Sequence, residues 1–328
     1  KKSELLMNIL LTGGTGLIGR ALYPLLREKG YSLKCALRKK NDGKIINEED
    51  VFYYENLDEN NDWSLALNNI DIVIHLAAQV PFERKGDDNS YNKFCKVNFE
   101  GTKRLARQAA QKNIKRFIFI STIGILGTSD LKTPLTEQSN ENPNNNYAIS
   151  KQMAEQALCS IGDSSNMEVV ILRPPLVYGP HVKANFLKLL DCIYKGIPLP
   201  FGGVKNQRNF IALDNVIQAI LVCVVHEKTV NGIFLISDDE YISTKDLIEK
   251  ISNAMGKPAR IFYFPVFLAK SLLIIIGKKS LYNKLWGSLR VESKKIKGQI
   301  GWAPQMGMDE GIQKTVDWYL GKKNKLSN

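Results

Sequence analysis

Apolar residues along this chain fall into short continuous runs, separated by longer stretches in which they recur every three or four positions. The runs MNILLT, SLKCALR, VFYY, DIVIHLA, RFIFIST and EVVILRP are too continuous for strands with one wet face, which predicts strands buried on both sides of a parallel sheet. Residues 18–29, 91–112 and 147–161 carry the helical period between them. Alternation of this kind predicts an α/β fold, a doubly wound parallel sheet with right-handed crossovers. After LRPPLVYGP the pattern changes, because Pro174, Pro175, Pro180, Pro198, Pro200, Gly202 and Gly203 cluster there. The main boundary is therefore expected near Leu176, with residues 1–175 as a first domain and 176–328 as a smaller, discontinuous second one. NGIFLIS, residues 231–237, reads as a strand that returns to the main sheet, taking 210–237 with it.

Composition adds little to this picture. With 328 residues, 44% of them hydrophobic, the chain can bury a full core. A formal charge of +12 points to anionic partners such as nucleic acid, a lipid surface or a phosphorylated metabolite, without choosing among them. The basic clusters Arg38-Lys39-Lys40, Lys278-Lys279 and Lys294-Lys295 are short and read as solvated faces. Five scattered cysteines, with no Cys-x-x-Cys and no nearby histidine cluster, argue for free thiols in a reducing cytoplasm and against a bound metal. The opening KKSELLMNILLTGG mimics a signal peptide, but its apolar run is too short and lacks a small-residue cleavage site, so it reads as a first strand. The segment 266–277, VFLAKSLLIIIG, contains Lys270 and falls short of the roughly 20 apolar residues of a spanning helix. It reads as a core or subdomain helix; with Lys278, Lys279 and Lys284 just beyond, the alternative is weak contact with a membrane surface.

Two local patterns carry chemistry. LLTGGTGLIG spaces Gly13, Gly16 and Gly19 by three, directly after a strand and opening a helix. Glycines there permit a tight turn and close approach of a pyrophosphate, while the helix N-terminus favours negative charge; this is the dinucleotide site of a Rossmann sheet. At the end of the second strand an acid would accept from the adenosine ribose, and a cation would meet a 2′-phosphate. Arg38 stands there and no acid follows until Asp42, so NADP(H) is favoured, with NAD(H) the alternative. The second pattern is YAISK, which sets Lys151 one helical turn beyond Tyr147. That spacing alone is weak, since about one Tyr-x-x-x-Lys is expected by chance in such a chain. In a second copy, Tyr241 and Lys245, the tyrosine precedes STKDL, where Ser243 or Thr244 reads as a helix N-cap.

GGTGLIG, DIVIHLAA, VNFEGT, RFIFISTIGILG, YAISK, LRPPLVYGP, RNFIALDNV and IGWAP occur in the order and spacing of extended short-chain dehydrogenases/reductases that act on nucleotide sugars. Over nearly its whole length the chain resembles their 4-epimerase and 4-ketoreductase branch, and HVKANFLKLL resembles reductases that make N-acetylated 6-deoxyhexoses for surface polysaccharides. The resemblance implies a catalytic Thr122, Tyr147 and Lys151, with Asn98 either supporting that cluster or packing its helix. A cationic ammonium near the phenol would draw its pKa toward neutrality. The resemblance also implies cofactor contacts at Gly13, Gly16, Leu17, Ile18, Arg38, Leu76, Ala77, Ala78, Lys151 and Pro174. Substrate contacts are implied at Thr122, Tyr147, Lys183, Asn185, Phe186 and Arg208, the last suited to a diphosphate. Ile123 and Gly124 stand where related 4,6-dehydratases carry Asp and Glu, which removes the machinery for dehydration. Double epimerases of the family pair a cysteine at the position of Ile123 with a histidine after YGP. Here the cysteine is missing and His181 remains, as a substrate contact or a loop histidine. His75 reads as a satisfied structural histidine. The expectation is a cytoplasmic NADPH-dependent reductase of a nucleotide-linked 4-keto sugar, binding no nucleic acid and dimerising through helices that begin near Tyr91 and Tyr147. A 4-epimerase holding NAD is the rival, and a dinucleotide-sensing protein without chemistry the further alternative.

Overall fold

The computed structural model describes residues 7–38, 46–81, 90–127, 133–226, 231–265 and 285–327, with the single positions 267, 268, 271 and 275. Lys39, Lys40, Asp42, Lys278, Lys279, Lys284 and most of the apolar segment 266–277 lie outside the described residues.

Seven strands form one parallel sheet: β1 (Asn8–Thr12), β2 (Ser32–Arg38), β3 (Val51–Tyr54), β4 (Ile72–His75), β5 (Arg116–Ile120), β6 (Glu168–Arg173) and β9 (Gly232–Leu235). Their order is β3-β2-β1-β4-β5-β6-β9. The order reverses between β1 and β4, and a crevice opens beyond their carboxyl ends at such a point. Successive residues of each strand feed opposite faces, as the pleat requires. Ile9 and Leu11 pack with Leu22 and Leu26 of α1 (Gly19–Glu28) and with Val216 and Ile220 of α6 (Leu213–Val225). Leu10 points the other way, with Val73, Phe117 and Phe119, against Leu105 and Ala109 of α3 (Gly101–Gln111) and Ala154 and Leu158 of α4 (Asn146–Asp163). The run 91–112, expected as one helix, is divided: α2 (Ser90–Phe94) passes through a π-helical turn, Cys95–Glu100, into α3.

A second sheet, not anticipated from the sequence, joins β7 (Leu176–Tyr178), β8 (Arg208–Ala212) and β10 (Tyr241–Ile242) in the order β10-β8-β7. It packs with α5 (Ala184–Tyr194), α7 (Thr244–Ala254) and α9 (Met308–Ser327) around Phe186, Leu190, Phe210, Ile251 and Val316; α8 (Lys294–Ile300) lies against the first core through Ile296. Buried Asp238 joins the two units, accepting from Tyr178 Oη at 2.9 Å, Asn215 Nδ2 at 2.7 Å and the Ala212 amide at 3.0 Å. Ser243 caps α7 in a capping box with Asp246. The second Tyr-x-x-x-Lys is thus split, with Tyr241 exposed on an edge strand and Lys245 in the first turn of α7.

Candidate active site

The glycine turn sits at the sheet's switch point, between the ends of β1 and β4. Gly13 has φ +72°, and a Cβ there would lie 2.6 Å from the Ala77 amide nitrogen. A Cβ on Gly19 would lie 2.3 Å from the Gly13 carbonyl oxygen. Only glycine allows the turn, the loop 76–78 and the first turn of α1, entered through Leu17 and Ile18, to close on one another. Gly16 continues the turn, donating to the Gly13 carbonyl at 2.9 Å. Thr12 Oγ1 accepts from the Ala77 amide at 3.2 Å and meets His75 Nδ1 at 2.7 Å. The other ring nitrogen of His75 meets Thr102 Oγ1 at 2.9 Å. His75 is thus a satisfied structural histidine, and burial, aided by the Lys151 charge, pushes its pKa down to about 3. Arg38 ends β2 with its side chain exposed, beside Tyr54 of β3.

One strand further along, Thr122 caps a short 3-10 turn, Ile123–Leu126, with Oγ1 accepting from the Gly124 amide at 3.1 Å. Gly124 faces Ala148, the neighbour of Tyr147: a Cβ on Gly124 would stand 3.7 Å from Ala148 Cβ. The Ile123 amide donates to the Pro174 carbonyl at 2.9 Å, so Pro174 and the Thr122 turn are fixed together. Asn145 caps α4 by accepting from the Ala148 amide at 2.9 Å, which starts the helix one residue before Tyr147.

Tyr147 is half-buried with the Phe94 ring edge-on at 6.0 Å. Lys151 is buried, its Nζ 3.8 Å from the centre of the Phe119 ring. Desolvation raises the Tyr147 phenol to about 12 and lowers Lys151 to about 7, the latter against the opposing pull of Glu155. The expected depression of the phenol by the lysine is therefore not produced by the chain's own groups. Burial penalises both charged forms, and the ammonium rests on an aromatic face.

Asn98 lies in the π-helical turn and is buried. Its Oδ1 accepts from the Gln79 amide at 2.7 Å, and its Nδ2 donates to the Gln79 carbonyl at 3.0 Å and to Ser150 Oγ at 3.0 Å. Ser150 Oγ in turn donates to the Tyr147 carbonyl at 2.8 Å. The asparagine therefore ties the loop after β4 to the first turn of α4. Ser150, Gln79, Phe94 and Phe119 were not singled out in the sequence; Ser150 lies inside YAISK, but nothing local shows that its hydroxyl faces Asn98. Below Lys151, Glu155 holds buried Arg173 through both carboxylate oxygens, at 3.0 and 3.1 Å from Nε, and Glu141 also pairs with that guanidinium.

The second unit supplies the remaining residues. Arg208 opens β8 and donates Nη1 to the Gly287 carbonyl at 2.7 Å, and burial lowers its pKa to about 10. Asn185 is half-buried in the first turn of α5, next to buried Phe186, whose ring stacks on Tyr178 at 5.8 Å, and Lys183 is the exposed residue preceding that helix. His181 has φ +68° and its Nδ1 accepts from Arg20 Nη1 of α1 at 2.9 Å, with Trp318 of α9 5.1 Å from its ring. Its side chain thus links α1 to α9.

A glycine turn at a switch point, with a tyrosine–lysine helix beside it, defines an oxidoreductase served by a nicotinamide dinucleotide. Residues 9–237 match the NAD dependent epimerase/dehydratase family, and the chain belongs to it. It is 35% identical over 323 residues to a UDP-glucose 4-epimerase of Vibrio cholerae, covering 97% of both chains. Against a dTDP-4-dehydro-6-deoxyglucose reductase of Escherichia coli the identity is 26%, with 94% of this chain and 96% of the other covered. A solved structure of UDP-glucuronic acid 4-epimerase from Bacillus cereus shares the fold, with TM-score 0.78, 22% identity and coverage of 96% and 99%.

Proposed function

We propose that the chain reduces a nucleotide-linked 4-keto-6-deoxy sugar, of the UDP-N-acetylhexosamine type, to the 4-hydroxy sugar, using NADPH. The observation that carries this is Arg38, a cation at the exposed end of β2, where an acid would accept from the ribose of NAD and a cation would meet the 2′-phosphate of NADPH. The residues fit a dinucleotide: Gly13 and Gly19 let the turn, the loop 76–78 and the start of α1 close on one another, and the N-terminus of α1 would favour a diphosphate. When bound, NADPH supplies a hydride to the ketone carbon. Everything else falls to the chain. With its pKa near 12, the Tyr147 phenol holds its proton at neutral pH, the state needed to protonate the ketone oxygen. Thr122 hydrogen-bonds that oxygen, Lys151 fixes the ribose side of the cofactor, and Asn98 holds α4 in register with the loop 76–79. Residues 1–175, with α6 and β9 from 213–237, form the dinucleotide domain; β8 stays with the second sheet, and the rest of 176–328 forms the substrate domain, where Arg208 takes the diphosphate and Lys183, Asn185 and Phe186 line the sugar. His181 acts as a strut to α1. A homodimer through α3 and α4 is part of this reading.

The relative of 35% identity favours a second reading, UDP-hexose 4-epimerisation with retained NAD. The same residues would then oxidise the sugar and return the hydride to its other face. Absent NADPH consumption with a UDP-4-keto-6-deoxy-N-acetylhexosamine, together with interconversion of UDP-hexoses, would establish the epimerase; one NADPH consumed per 4-hydroxy sugar formed supports the reductase.

A further inference from the structure

The second unit carries a surface that the chemistry leaves unused. Phe262, Tyr263, Phe267 and Ile275 are 45, 73, 68 and 81% exposed, and Leu268 and Ile197 are exposed beside them in the chain and in space. A backbone bridge between Leu199 and Ile261 brings the 197–199 segment alongside 260–262. Tyr263 lies against Gly203, where a Cβ would come within 2.8 Å of the ring. Phe267, Leu268, Ser271 and Ile275 are each helical and exposed, and 267, 271 and 275 recur at one-turn spacing. Six large apolar side chains in water within one segment and its neighbour are far from the scattered exposure of an ordinary surface.

Charge selects the occupant. Residues 257–291 contain seven lysines and arginines and no carboxylate. Among the described residues, exposed Lys195 and Arg260 border the apolar side chains, Arg260 donating to the Gly196 carbonyl at 3.3 Å. A second copy would set like charges against like. An apolar segment whose own sequence carries cations and no carboxylate matches a bilayer rich in anionic headgroups: rings and aliphatic chains enter the acyl boundary while the cations meet phosphates. The apolar run 266–277 is shorter than the roughly 20 residues a spanning helix needs, so attachment is to its surface.

We propose that this face of the second unit docks reversibly on an anionic phospholipid surface. The proposal is independent of which sugar reaction the enzyme performs. The test is flotation of the whole protein with vesicles of phosphatidylcholine alone, or of equal parts phosphatidylcholine and phosphatidylglycerol, at low and high salt. Expected are flotation only with the anionic vesicles, release by salt, and binding weakened about tenfold or more by the double variant Phe267→Ser, Ile275→Ser, whose melting temperature and turnover should match wild type. Arg260→Gln should weaken binding further, with a smaller salt effect. Absence of flotation, or flotation that neither substitution alters, would overturn the proposal. So would sedimentation velocity finding a dimer that the double variant dissociates while vesicles capture neither protein, because the patch would then be a protein interface.

Discussion

The Tyr147 phenol is pushed up to about 12 because the groups around it are apolar or lie elsewhere: Phe94 meets the ring, and the Lys151 ammonium rests on Phe119. Tyr147→Phe should lower turnover about 10²–10⁴-fold while NADPH affinity, read by fluorescence titration, stays within a factor of about two. His75 tests burial independently of catalysis. Its pKa is near 3 in the folded chain against 6.5 for a solvated imidazole, so between those values the unfolded chain binds the proton and the folded one does not. Stability should therefore fall as pH drops from 6.5 toward 3, by up to about 1.4 kcal/mol per pH unit from this residue. Urea titrations at pH 7 and pH 5 should give a larger loss for wild type than for His75→Gln; equal losses would contradict the assignment. The sequence placed His75 as structural from its strand-end position, but its partners Thr12 and Thr102 are 63 and 27 residues away and only the fold reveals them.

At the level of elements, the strands and glycine turn were legible because burial on both faces leaves continuous apolar runs and because a tight strand–turn–helix junction admits few residues. The π-helical turn was not. Its apolar periodicity continues that of α2 and α3, and what displaces the helix is a tertiary demand, Asn98 reaching Gln79 and Ser150. Asn98→Ala should leave the Gln79 amide and carbonyl without their partner and cost about 1–3 kcal/mol by chemical denaturation. It should also slow turnover more than it weakens NADPH binding; an effect on stability alone would reduce Asn98 to helix packing. The small β10-β8-β7 sheet escaped notice for a different reason. Its strands have three, five and two residues, too short to show a period, and β7 follows two prolines. At the glycine turn the expected effect is severe: Gly13→Val sets a branched side chain at φ +72° against the Ala77 amide, so dinucleotide binding should be lost.

For the whole molecule, the order of motifs along the chain, glycine turn, threonine, tyrosine–lysine helix and arginine-opened strand, was enough to place it in its family. The proposed cofactor depends on less. The proposed choice of NADPH rests on Arg38 at a strand end. Arg38→Ala should lower kcat/KM with NADPH about tenfold or more and leave the value with NADH nearly unchanged. The most direct measurement of the central claim supplies purified protein with NADPH and a freshly made UDP-4-keto-6-deoxy-N-acetylhexosamine, following absorbance and product together. The account predicts one NADPH oxidised for each 4-hydroxy sugar formed; UDP-hexose interconversion with no net change in NADPH would contradict it.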